Sequence, residues 1–141
     1  MTRGMLAVVL HNLEGNPNPN SAGQFHDVAN DAWYAEAVCW ADAEGIVSGY
    51  GDGTFGANNQ IAREQLAVML YRYAGSPAHS GQELTFHDAH NVMGFAADAM
   101  SWAVENNIIN GKGGNILDPK GTTTRAQVAA ILMRFVELSA K

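Results

Sequence analysis

Apolar residues recur along this chain at helical spacing. Trp33, Ala37, Trp40 and Ala41 fall at intervals of four, three and one, which draws the inward stripe of an amphipathic helix, and Gly45 follows where a left-handed residue would stop it. A second stretch, from about Phe95 to Asn106, carries Ala99, Trp102 and Ala103 on the same stripe, with Asn107 in the terminating place. A different helix is predicted further on: Thr124 stands as N-cap with Gln127 three residues later, a capping box, and Val128, Ile131, Leu132 and Phe135 share one face. Thr2 caps the first stretch of the chain in the same manner. Ala62 occupies the capping place of the middle copy and lacks the hydroxyl, at a cost of about 1 kcal/mol. Between the helices, Gly49-Tyr50-Gly51-Asp52-Gly53-Thr54-Phe55 cannot hold a helix and reads as a tight turn or short hairpin.

These elements repeat. Phe25-His26-Asp27-Val28 returns as Phe86-His87-Asp88-Ala89, and Ala37-Val38-Cys39-Trp40-Ala41 returns as Ala99-Met100-Ser101-Trp102-Ala103. Ile46-Val47-Ser48-Gly49 pairs with Ile108-Ile109-Asn110-Gly111, and Arg63, Leu66 and Leu70 match both Arg125, Val128 and Leu132 and Arg3, Leu6 and Leu10. The expected organisation is therefore the closing helix of a truncated repeat over 1–15, a linker over 16–24, a full repeat over 25–75, a second linker over 76–85 and a full repeat over 86–138. Both linkers are rich in Asn, Pro, Gly and Ser, as exposed connectors are. A pair of short helices cannot bury both its faces alone, so such units stack around a common apolar centre. The fold class expected is all-α, a helical repeat bundle with two main helices per unit joined by a glycine-rich loop. Met1 aligns with Ile61 and Thr123, in the middle of a unit, and reads as a boundary rather than a natural start.

Composition narrows the function classes. The 141 residues carry 8 Lys plus Arg against 14 Asp plus Glu, a formal net charge of −6, and lack the clustered cations that a nucleic-acid surface needs. The longest apolar run, Met5 to Leu10, is too short for a membrane span and makes no convincing signal peptide. Cys39 is the single cysteine, which excludes an internal disulfide and reads as a buried small hydrophobe. His87 and His90, with His79 nearby, have no fourth ligand at suitable spacing, so no metal is expected and the histidines are read as solvent-facing. Asp52-Gly53 with Asn58 and Asn59 lacks the alternating ligands of a calcium loop. No nucleophile motif, paired catalytic carboxylates or nucleotide loop occurs, so neither an enzyme nor a cofactor is expected.

The order Phe-x-Asp-Val, Trp, Ala-Val-x-Trp-Ala, Gly-Ile-Val-x-Gly-Tyr-Gly-Asp-Gly-Thr-Phe and Ile-x-Arg-Glu-Gln resembles the S-layer homology domain along nearly its full length. The resemblance implies a pseudo-threefold module of three repeats on the bacterial cell exterior, in the cell wall or S-layer, whose inter-repeat grooves hold pyruvylated secondary cell-wall polysaccharide. It further implies that Arg3, Arg63 and Arg125, at the Thr-Arg-Ala-Glu position, face the ligand acid. The chain departs from the pattern in three ways. The first repeat begins only at Thr2-Arg3; Gly111-Lys112-Gly113-Gly114-Asn115-Ile116-Leu117 replaces the glycine loop of the last repeat; and Gly94-Phe95 stands where the other repeat has Trp33-Tyr34.

The residue chemistry fits an acidic sugar. Arginine pairs bidentately with a carboxylate, and at the first position of a helix it is joined by free backbone amides and the positive dipole end. A bridge from each arginine to an acidic residue of the neighbouring repeat is the competing reading. Trp33 and Tyr50 are candidates for stacking on a sugar face, beside the Asp52 carboxylate and the amides of Gly49 and Gly51. Trp40 and Trp102, on the apolar stripe, are read as core. Asp27 and Asp88 are read as caps of a helix or turn. The function expected is non-covalent anchoring to a wall glycan. The alternative is a protein-interaction module that completes its missing repeat as a homo-oligomer.

Overall fold

In the computed structural model, residues 1–19, 23–79, 84–111 and 116–139 are described. Their regular structure is helical throughout: α1 (Arg3–Leu13), α2 (Ala35–Ala43), α3 (Arg63–Tyr73), α4 (Ala97–Glu105) and α5 (Arg125–Ser139), with two 3₁₀ turns, Ala89–Asn91 and Gly94–Ala96, before α4. The chain forms two compact units, Met1–Gln60 and Ile61–Lys141. Each packing unit thus opens with the closing helix of one sequence repeat and continues into the opening half of the next.

The helix ends explain the punctuation of the sequence. At the end of α2, Gly45 takes φ +74°, its N–H donates to the Asp42 carbonyl at 3.1 Å, and the Ile46 N–H donates to Ala41 at 2.8 Å. This is a Schellman motif, and Ile46 is the buried apolar residue that accompanies it. Asn107 does the same for α4 at φ +58°, with Ile108 donating to Ala103 at 2.8 Å. The N-caps follow the sequence as well. Thr2 Oγ1 accepts from Met5 N at 3.2 Å, and Thr124 and Gln127 exchange both bonds of a capping box, at 3.2 and 3.0 Å. At α3 the Gln65 half of the box survives, its Oε1 accepting from Ala62 N at 3.0 Å.

Two helix starts differ from expectation. Trp33 lies outside α2, in a turn closed by Ala35 N donating to Ala32 O at 3.0 Å. It is 67% exposed, so only Ala37, Trp40 and Ala41 form the inward stripe. Likewise α4 begins at Ala97, because the preceding residues wind as 3₁₀.

In the first unit α1 packs on α2, burying Leu6, Ala7, Leu10, Trp40 and Ala41, and the His11 ring lies 5.2 Å from Trp40. In the second unit α3 packs on α4, with Tyr71 in the place of His11, 5.6 Å from Trp102. Phe135 of α5 closes that cluster, 6.2 Å from Trp102 and 5.8 Å from Tyr73. Both tryptophans of the stripe are core, as their period predicts.

Asp27 and Asp88 are structural, but they cap no helix. Asp27 Oδ1 accepts from Phe55 N at 2.8 Å and Oδ2 from Gly56 N at 2.9 Å. Asp88 does the same with Leu117 N and Asp118 N, both at 2.8 Å. Each carboxylate therefore gathers two successive amides from the far end of the glycine loop, and Phe55 and Leu117 are fully buried behind it. Burial pushes the Asp27 carboxyl up, yet the amides of Gly56 and Phe55 outweigh it and hold the group below its ordinary value of 3.8. Asp88 is also held low, chiefly by the Leu117 amide.

Gly49 and Gly111 carry the start of the loop past an aromatic ring. A Cβ at Gly49 would stand 2.5 Å from Phe25 Cε1 and 2.6 Å from the Thr54 carbonyl oxygen, and one at Gly111 would strike the Phe86 ring.

Two outcomes follow. Gly49→Ala destabilises the chain by about 1–3 kcal/mol through overpacking, measured by urea unfolding. Because both aspartates ionise more readily folded than unfolded, their contribution is full above pH 3.8 and is lost as pH falls through their lowered values. Thermal melts between pH 7 and 2.5 show an acid limb, and Asp27→Asn, which turns an amide donor toward a backbone N–H, lowers the melting temperature at pH 7 and flattens that limb.

Candidate functional site

The N-terminus of α1 is bound into the loop of its own unit. Arg3 N donates to Asn59 O at 3.0 Å and Gly4 N to Ala57 O at 2.9 Å, while Met5 N is taken by Thr2. The free backbone amides expected beside the arginine are thus already used. In the second unit Arg63 N donates to Gly121 O at 3.0 Å and Glu64 N to Pro119 O at 2.8 Å, which repeats the arrangement.

The arginine side chains have an employment that neither sequence reading named. Arg3 is only 6% exposed, and its Nε donates to Phe55 O at 3.0 Å while Nη2 donates to Ser48 O at 3.1 Å. Its guanidinium lies 5.0 Å from the Tyr50 ring centre and 4.7 Å from that of Phe55. Among the described residues Nη1 makes no hydrogen bond. Arg63, 4% exposed, donates from Nε to Leu117 O at 2.9 Å and from Nη2 to Asn110 O at 2.7 Å. These carbonyls tie the two ends of the loop together, so Arg3 and Arg63 pin loops through backbone oxygen. Burial lowers the pKa of Arg3, against a rise from the Tyr50 phenol. The guanidinium nonetheless stays charged at any physiological pH. Arg125 differs, being exposed at the start of α5.

The loop residues fall into two groups. Tyr50 is 48% exposed, rests on Arg3, and accepts at its hydroxyl from Asn59 Nδ2 at 3.0 Å. Asp52 Oδ1 accepts from Thr54 N at 3.0 Å and Thr54 Oγ1 at 2.5 Å, and the Thr54 hydroxyl bond is the main cause that holds its carboxyl low. Asp52 thus shapes the turn, with Gly51 at φ +89° beside it, and Gly49 is packed under Phe25. Trp33 stands edge-on to Tyr34 at 5.2 Å. Tyr34 in turn lies against Gly4, its Cγ 3.4 Å from where a Cβ would stand, so the Trp33-Tyr34 pair and Arg3 meet at one end of α1.

The second unit keeps the arginine and changes its surroundings. Phe95, exposed, precedes α4 as Trp33 precedes α2, so the structure sets it against Trp33 and not, as the sequence register had it, against Tyr34. Lys112, Gly113, Gly114 and Asn115 of the altered loop lie outside the described residues. Glu64 is buried, and its Oε2 accepts from Met93 N at 3.0 Å. Sequence reasoning missed Tyr34, Asn59 and Glu64. For the Asp27 and Asp88 clamps, the available signal was the recurrence of an Asp 28 or 29 positions before the residue that the arginine also binds. Among the histidines, His87 and His90 are exposed as expected, but His79 is half-buried, 3.4 Å from the Asp98 carboxylate.

A family model for the S-layer homology domain matches residues 24–67 and 85–129. The chain is 29% identical over 143 residues to "Amylopullulanase" of Thermoanaerobacterium thermosulfurigenes, covering 99% of this chain and 8% of that protein. It is 33% identical over 121 residues to "Exoglucanase XynX" of Acetivibrio thermocellus, with 83% and 11% covered. With "S-layer protein EA1" of Bacillus anthracis it shares 24% identity over 141 residues, 100% of this chain and 16% of that one. The chain thus spans between 8% and 16% of the length of these relatives. Among the described residues no helix is long and apolar enough to cross a membrane. The two matched repeats cover more than half of the sequence, and the chain belongs to the S-layer homology domain family, non-catalytic anchoring modules of the bacterial cell exterior in the wall or S-layer.

Proposed function

We propose that this chain tethers a larger exported protein to the cell by holding pyruvylated secondary cell-wall polysaccharide in the grooves between consecutive repeats. Arg3, Arg63 and Arg125 are the cations for the ketal carboxylate, Trp33 and Tyr50 the sugar-stacking rings, and Gly49, Gly51 and Asp52 the polar loop beside them. One observation carries the reading: Arg3 is a buried, immobilised cation with an aromatic ring on its face and one amino group uncommitted within the described residues. A fixed arginine edge loses little entropy on pairing with a carboxylate, and a partly exposed ring next to it offers the apolar face of a sugar a place to lie. The relatives add support, since this chain matches between 8% and 16% of the length of proteins named "Amylopullulanase", "Exoglucanase XynX" and "S-layer protein EA1". Several weak sites on one chain would retain a polymer through effective concentration.

A second reading, self-assembly, has one observation in its favour. Ala126, Ala129, Met133 and Val136 lie on one exposed face of α5. The matching residues of α1 and α3, Gly4, Ala7 and His11 and then Glu64 and Ala67, are buried. Sedimentation at rising concentration gives a monomer if glycan binding is the whole function, and a concentration-dependent dimer if this face pairs two copies.

The anchoring reading is tested by co-sedimentation with purified wall sacculi, before and after mild acid removal of pyruvate. Binding is expected only before treatment. Trp33→Ala and Tyr50→Ala, both at exposed side chains, each weaken it by about tenfold, equivalent to roughly 1.4 kcal/mol. Equal binding to depyruvylated wall, or none to intact wall, would overturn the reading.

A further inference from the structure

Tyr50 is an exposed residue held from four sides. Its N–H donates to the Thr54 carbonyl at 3.0 Å across the turn. One face of its ring covers the Arg3 guanidinium, 5.0 Å from the ring centre. The ring edge lies on Gly56, where a Cβ would stand 2.5 Å from Tyr50 Cε2 and 2.8 Å from the phenol oxygen. The fourth hold is Asn59, whose Nδ2 donates to that oxygen at 3.0 Å. Phe55 fills the interior of the loop with no exposure, whereas Tyr50 is 48% exposed, so its ring is ordered at the surface rather than packed inside. Fixing a surface side chain costs entropy, and a ring fixed before its ligand arrives removes that cost from binding.

The polarity of the fourth hold matters as much as its position. A phenol both donates and accepts, but an amide N–H only donates. Because Asn59 gives the hydrogen, the Tyr50 oxygen is the acceptor and its own proton is left over. Among the described residues that proton has no acceptor. Arg3 Nη1, on the guanidinium stacked against the same ring, is uncommitted there as well. The stacked pair thus carries two spare donors, one charged and one neutral. In the sequence Asn59 is notable only as a poor calcium ligand; in the structure its side chain is engaged with Tyr50.

On the reading that the module holds an acidic wall glycan, we propose that the Tyr50 hydroxyl donates a hydrogen bond to an oxygen of the acidic sugar beside Arg3. Asn59 is its positioning residue, which holds the ring still and keeps the phenol proton free for the ligand. Tyr50 is then a specificity-determining donor as well as an apolar platform.

The test is calorimetric titration of the full chain with a monosaccharide bearing a pyruvate ketal, on the wild type, Tyr50→Phe, Asn59→Asp and the double variant. Thermal melts check that each stays folded. Tyr50→Phe keeps the ring and is expected to bind about fivefold more weakly. Asn59→Asp has nearly the same shape but only accepts, so it captures the phenol proton, and its charge also repels the acid. It is expected to weaken binding by more than Tyr50→Phe does. In the double variant there is no phenol proton to capture, so the two losses are expected to combine to less than their product. Tyr50→Phe binding as tightly as the wild type, or losses that multiply in full, would overturn the inference and leave glycan anchoring intact. Failure of the wild-type chain to bind either sacculi or ketal would overturn both.

Discussion

One buried residue in each loop is held by its peptide group on both sides, and the rest of the site depends on that grip. Phe55 gives its N–H to Asp27 and its carbonyl to Arg3. Leu117 gives the same two groups to Asp88 and Arg63. The aspartate comes from just before the first helix of a repeat, and the arginine from the closing helix of the repeat before it. A loop with glycines at positive φ would otherwise sample many conformations. Clamped in this way, it presents Tyr50, Gly51 and Asp52 in a fixed arrangement. Since buried peptide groups must be satisfied, the clamp also lets Phe55 fill the core without orphaning its backbone.

On the proposed reading, this grip gives Arg3 two functions in sequence. Two of its donors hold the loop, and the remaining edge stays oriented because the others are fixed. Preorganisation of this kind lowers the ordering cost of binding, which is what the proposed anchoring asks of it. It also means that substitution of the arginine removes the frame together with the site, so exposed rings such as Trp33 and Tyr50 are the cleaner probes of recognition.

Much of the architecture was legible in the chain. The period of Ala37, Trp40 and Ala41, the left-handed stops at Gly45 and Asn107 and the capping box at Thr124 and Gln127 are local signals, and local hydrogen bonds realise each of them. What sequence reasoning could not supply was long-range pairing. Asp27 stands where an aspartate often caps a helix, and nothing local reveals that its partners lie 28 and 29 residues away. Arg3 stands at a helix start where free amides are usual, but Asn59 and Ala57 carbonyls consume them. Trp33 fits the helical stripe by spacing alone, and a turn closed on Ala32 removes it from the helix into solvent. The compact units, too, run out of phase with the sequence repeats, because an arginine and the loop it pins belong to neighbouring repeats.

The most direct test of glycan anchoring through the first unit is a crystal structure of the chain with a wall-polysaccharide fragment that carries a pyruvate ketal. The account predicts the ketal carboxylate within hydrogen-bond distance of Arg3 Nη1, with the sugar ring on Tyr50 or Trp33. A fragment seated away from Arg3 and these rings would contradict it.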